Sequence, residues 1–146
     1  MSLKILFDTS VLIAAFVESL PKHKNALSFL IRAKNREFKL FISAHTILEV
    51  YSVLTSAPFN PKITAIKAKE LIDTNIKDIA KIIYLTDKDY FRIVKKMSNS
   101  NLMGGIVYDA IIVECALISK VNEILTLNLE DFLRLTKDNS LKISTV

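Results

Sequence analysis

Short apolar runs alternate with helix-patterned segments along nearly the whole chain, and this alternation constrains the fold more than any other feature. Leu3–Phe7, Lys39–Ser43, Ile82–Leu85 and Glu123–Thr126 each read as a buried strand. Helical patterns cover Ser10–Val17, Lys22–Lys34, Ala44–Thr55, Pro61–Asp73, Lys88–Met97 and Tyr108–Ser119. Leu129–Leu135 adds a short helix and Leu141–Ser144 a final edge strand. Strands apolar on both faces and separated by helices build a parallel sheet covered on both sides. The expectation is an α/β fold with three layers, α/β/α, around a central parallel sheet of four or five strands. The 146 residues include only two Gly and three Pro, with no linker, repeat or low-complexity stretch. One domain spanning residues 1–146 is therefore expected.

Several function classes drop out at this level. No stretch reaches the roughly 18 apolar residues of a membrane span, and Asp8 interrupts the N-terminal run that would otherwise suggest a signal peptide. The lone Cys115 lies in the apolar run Ala110–Ile118; it forms no internal disulfide and reads as core packing in a reducing, cytoplasmic protein. His23 and His45 stand 22 residues apart on predicted helices, and no Cys/His cluster suggests zinc. The net charge of +5 favours polyanionic partners. Basic residues gather at Lys22, Lys24, Arg32, Lys34, Arg36 and Lys39, and again at Arg92, Lys95 and Lys96.

The acids carry the chemical signal. Asp8 ends the first strand and precedes Thr9, Ser10 and a helix. Such a carboxylate either caps that helix or serves a site, because α/β sheets gather functional groups at the carboxyl ends of their strands. Glu49 falls among Leu48, Val50 and Val53, so it reads as a buried carboxylate with no obvious Lys or Arg partner nearby. Asp109 occupies the first turn of the apolar helix that follows Gly104–Gly105. Thr126 and Asn128 close the fourth strand, with Asp131 three residues beyond Asn128. In a doubly wound sheet these positions can converge on one edge. Several carboxylates sharing a pocket raise one another's pKa or require a cation, and oxygen-only donors suit Mg²⁺ or Mn²⁺.

Four segments then fall into a familiar order: Phe7-Asp8-Thr9-Ser10, Ile47-Leu48-Glu49-Val50, Gly104-Gly105-Ile106-Val107-Tyr108-Asp109-Ala110 and Leu125-Thr126-Leu127-Asn128-Leu129-Glu130-Asp131-Phe132. Together they resemble the successive motifs of the PIN-domain nucleases, with the nearest likeness to VapC-type toxins of prokaryotic toxin–antitoxin pairs. The resemblance implies a PIN-like fold and a metal-dependent endoribonuclease using Mg²⁺ or Mn²⁺. It places Asp8, Glu49 and Asp109 as the core acids, with Thr9, Ser10 and Thr126 in support. Asn128 stands where many members carry a fourth acid, and either it or Asp131 completes the set. It further implies an RNA substrate, a small antitoxin partner and a homodimer. A non-toxin RNA-processing nuclease, or a catalytically silent RNA-binding relative, is the alternative. A phosphotransfer receiver or haloacid-dehalogenase-like phosphatase needs an acidic pair or a second Asp two residues after the first, where this chain has Ser10.

Overall fold

A computed structural model of the chain describes residues 2–146. The strands are β1 (Lys4–Phe7), β2 (Lys39–Ser43), β3 (Lys81–Ile83), β4 (Glu123–Leu125) and β5 (Lys142–Ser144). The helices are α1 (Thr9–Phe16), α2 (His23–Lys34), α3 (Ala44–Ser56), α4 (Ala65–Ile72), α5 (Asp87–Asn99), α6 (Ile106–Ser119) and α7 (Leu129–Leu135). A π-helical turn, Asp73–Lys77, prolongs α4.

The five strands form one sheet in the order β3-β2-β1-β4-β5, and every pairing is parallel. The period-two alternation of side chains explains the layering. Ile5 and Phe7 of β1, Leu40 and Ile42 of β2 and Leu125 of β4 face a core shared with α1 to α4. Leu6, Phe41 and Ile124 face the opposite core, built with α6 and α7 around Phe132. Smaller apolar contacts seat α5 on α6 through Ile93, Met97 and Ala110. Cys115 is fully buried in the second core, as its apolar surroundings predict.

Most boundaries agree with the sequence pattern, and the exceptions have local causes. Pro61 does not open a helix: α4 starts after Thr64, whose hydroxyl accepts from the Lys67 N–H at 3.1 Å. Helix α5 starts after Thr86 rather than at Lys88, fixed by a reciprocal capping box with Asp89. The connection between the helical patterns Lys88–Met97 and Tyr108–Ser119 is shorter than they suggest, because α5 runs on to Asn99 and α6 begins at Ile106. Helix α6 has a well-covered inner face, but Tyr108 is exposed. Its one buried charge, Glu114, is matched by Arg92 at 2.9 Å and Lys96 at 3.0 Å.

The topology decides where a site can form. From β1 the chain steps outward to β2 and β3, then crosses back to place β4 on the other side of β1. The strand order reverses between β1 and β4, and the crevice at their carboxyl ends is where open α/β sheets bind ligands.

Candidate metal centre

Asp8 leaves β1 at that switch point, where its N–H bonds the Leu125 carbonyl of β4 at 2.9 Å. Its side chain is buried and accepts three hydrogen bonds: from the Thr9 N–H at 2.7 Å, the Ser10 hydroxyl at 2.8 Å and the Thr126 hydroxyl at 2.8 Å. The first of these makes Asp8 the cap of α1 as well. Each hydroxyl also accepts from the β4–α7 loop, Ser10 from the Leu127 N–H at 3.0 Å and Thr126 from the Asn128 N–H at 2.9 Å. The loop is thereby locked onto the carboxylate. A carboxylate offers about four acceptor positions, so Asp8 keeps one in hand. Burial pushes its pKa above the ordinary 3.8 and Glu49 adds to this, while the three donors pull the other way.

Asp8, Glu49 and Asp109 line one cavity of about 520 Å³ together with Thr9, Ser10 and Asn128. Asp109 projects from the first turn of α6. Desolvation, then Asp8 and Asp131, raise its pKa to about 6, although a hydrogen bond from Asn128 lowers it. Asn128 donates through Nδ2 to Asp109 at 3.0 Å and to Asp131 at 3.0 Å. It is thus a neutral bridge between two acids, where a fourth carboxylate would add repulsion. Asp131 does not line the cavity; it sits behind Asn128 and pairs with Arg134 at 3.5 Å.

Glu49 corrects one expectation, because it is exposed rather than buried. Its apolar neighbours misled: Leu48 is itself 75% exposed, whereas Val50 points into the core. Glu49 and Val53, one helical turn apart, face the cavity together.

Thr46, which the sequence reading passed over, ties the two helices of the site. The buried Thr9 hydroxyl donates to the buried Thr46 hydroxyl at 3.1 Å, joining α1 beside Asp8 to α3 one turn before Glu49. The i,i+3 spacing of Thr46 and Glu49 was its only sequence signal. Thr46→Val should cost roughly 1–2 kcal/mol by leaving the Thr9 hydroxyl unpaired and weaken Mn²⁺ binding about tenfold. Thr9→Val/Thr46→Val should recover part of the stability but not the affinity. Denaturant unfolding and Mn²⁺ titration measure both.

The donor set fits a hard divalent cation. It is all oxygen, and none of Asp8, Glu49 and Asp109 has a Lys or Arg ion-pair partner among the described residues. Among the described residues, no three Asp, Glu, His or Cys side chains stand together as a ready-made metal site. Burial lowers the pKa of His45, at the start of α3, from the ordinary 6.5, against the opposing pull of Glu49 and Asp8.

The PIN-domain family model matches residues 5–138. The chain belongs to the PIN-domain family. A search of curated protein sequences finds no match to this PIN domain. Among solved structures it is similar to VapBC2 from Rickettsia felis bound to a promoter DNA fragment, with a TM-score of 0.68, 17% identity and 99% of each chain covered. VapC20 from Mycobacterium tuberculosis, a Sarcin-Ricin loop cleaving toxin, gives 0.63 and 12% identity over 82% of this chain and 86% of that one. VapBC-1 from nontypeable Haemophilus influenzae gives 0.62 and 17% identity over 98% of each. At these identities the likeness establishes the shared fold. No helix among the described residues is long and apolar enough to cross a membrane.

Proposed function

We propose that this PIN domain, as a single domain over residues 1–146, is a metal-dependent endoribonuclease, the toxin of a toxin–antitoxin pair. Membership of the PIN-domain family supports a hydrolase acting on nucleic acid, and the fold shared with VapC20 and the two VapBC structures supports a VapC-like toxin. One observation carries the reading: three carboxylates without ion-pair partners among the described residues line a single cavity at the topological switch point.

Asp8, Glu49 and Asp109 would hold Mg²⁺ or Mn²⁺, with Asn128 or Asp131 assisting through water. The ion supplies Lewis acidity toward a phosphate and a bound water of lowered pKa. Ser10, Thr126 and the Thr9 N–H fix Asp8, and Asn128 holds Asp109 in place. A carboxylate not engaged by the ion accepts the proton of the attacking water. An antitoxin or second copy has an apolar landing area between α3 and α4, where Leu48 and Ile66 are 75% and 74% exposed.

Purified protein should cut RNA internally with Mn²⁺, stop in EDTA, lose activity in Glu49→Gln, and leave small phosphate esters intact. Cleavage that persists in EDTA, or hydrolysis of small esters, would sink this assignment.

A further inference from the structure

The amino edge of the sheet, at the far end from the carboxylate crevice, collects cations. Lys4 opens β1, Lys39 opens β2 and Lys81 opens β3. Lys4 stands directly across from Lys39 in the ladder, and Lys81 is level with Phe41, two residues on from Lys39. By the two-residue period all three lie on one face of the sheet, and the Lys81 ammonium stands 5.9 Å from the centre of the Phe41 ring. Neighbouring strands are about 4.8 Å apart, well inside the roughly 10 Å over which charges act on one another in about 0.1 M salt. Like charges directly opposite in a sheet work against folding. Arg36, in the turn from α2 to β2, lines a shallow cavity of about 360 Å³ with Lys39 and Lys81. Its φ is 59°, in the helix-ending turn closed by Arg36 N–H to the Ala33 carbonyl and Glu37 N–H to the Arg32 carbonyl, both at 3.0 Å. Glycine is the usual residue at that left-handed position. The helix dipole favours a cation there, but it does not account for three lysines that open strands. None of the four cations forms an ion pair among the described residues. Of the nearby acids, Glu37 pairs with Arg32 and Glu123 with Lys142, while Asp78 in the turn before β3 pairs with none of the four.

We propose that this amino-edge cluster is a docking surface for an RNA backbone, remote from the acidic crevice, on which Lys4, Arg36, Lys39 and Lys81 hold phosphates. The choice of RNA rests on the nuclease reading above. Lys4 precedes Asp8 by four residues of extended chain, about 13 Å, so an RNA that fills both places runs well past the bond to be cut. The surface supplies what the crevice lacks, because unpaired carboxylates repel a phosphate chain until a cation enters. It reads no sequence. Phe38 and Phe41 beneath it are buried, so neither ring is free to stack on a base, and contacts to phosphate carry no base information. An acidic polypeptide would also meet positive charge here. A protein interface, however, needs an apolar centre, and the apolar residues at this edge, Phe38, Leu40 and Phe41, are withdrawn into the core. A nucleic-acid backbone binds by charge alone.

Fluorescence anisotropy of a long, labelled single-stranded RNA in EDTA reads this surface without turnover. Lys39→Gln/Lys81→Gln changes two exposed side chains, and thermal melting checks its fold. It should weaken binding about tenfold and lower the slope of log Kd on log salt by roughly 1.4, the share of two single-strand phosphates. Arg36→Gly places glycine where the backbone favours it. It should melt no lower than wild type and still bind RNA about threefold less tightly, a split that a purely structural Arg36 would not give. Unchanged affinity and salt slope in the double variant would overturn the proposal. So would displacement of the RNA by poly-glutamate at equal charge, which would make an acidic polypeptide the better occupant. Cleavage with Mn²⁺ is assayed in parallel, where the double variant should raise KM for long RNA and keep kcat. Weakened binding without cleavage by any form would overturn the nuclease reading and keep the docking surface; cleavage with unchanged binding would do the reverse.

Discussion

Asp8→Asn should reduce Mn²⁺-dependent RNA cleavage on the order of 100-fold or more while leaving the metal-free fold at least as stable as wild type. The two halves of this result separate the two roles that the residue plays. As the cap of α1, Asp8 needs only an oxygen facing the Thr9 N–H, and an Asn oxygen serves as well. The Ser10 and Thr126 hydroxyls, which now donate to Asp8, can rotate away from the new amide while still accepting from Leu127 and Asn128. Meanwhile the substitution removes a buried charge whose ionisation is opposed first by desolvation and then by Glu49. If Asp8 were only a cap, truncation to Ala would cost roughly 1 kcal/mol and Asn would leave cleavage intact. Denaturant unfolding beside a cleavage assay decides between these. Full cleavage by Asp8→Asn would remove Asp8 from the metal centre.

How far the sequence reveals such a site depends on what kind of position each residue holds. Asp8 and Asp109 were legible because a strand end and the first turn of a helix are recognisable in one dimension, and topology brings those ends together. Glu49 was legible as an anomaly, but its apolar flanks were read as core when Leu48 is surface. Local patterning does not distinguish an apolar residue that faces a partner from one that faces the sheet. Thr46 was not singled out, and Lys22 was legible only as one member of a basic cluster, because Thr46 reaches across to α1 and Lys22 comes to line the acidic cavity only once the helices are placed. The second basic cluster was legible as charge but not as purpose. Arg92 and Lys96 serve the buried Glu114, an interior carboxylate that one chain pattern cannot match to its partners on a neighbouring helix.

The other large effect joins pH, metal and stability through Asp109. In metal-free protein its carboxyl titrates at about 6, against an ordinary value of 3.8. Between those values the folded state holds a proton that the unfolded chain has released, so folding is favoured as pH falls toward 4 and loses that contribution as pH rises through 6. Asp8 is shifted in the same direction. His45 acts oppositely, because its lowered pKa lets the unfolded chain take up a proton first as pH falls through 6.5. Asp73 and Asp89, both lowered, matter only below about 3.8. Comparing Asp109→Asn with wild type removes these shared contributions. The variant should melt higher than metal-free wild type at pH 7.5, and the gap should narrow as pH falls below 6 and close only as pH falls through the unfolded value of 3.8. Added Mn²⁺ should reverse the order at pH 7.5, raising the wild-type Tm and leaving Asp109→Asn nearly unmoved. At pH 5 an ion must displace the Asp109 proton, so apparent affinity should fall about tenfold per pH unit below 6. A wild-type Tm that rises equally with Mn²⁺ at both pH values, or equally in Asp109→Asn, would show that the ion binds without Asp109. The cavity would then hold its cation through Asp8 and Glu49 alone.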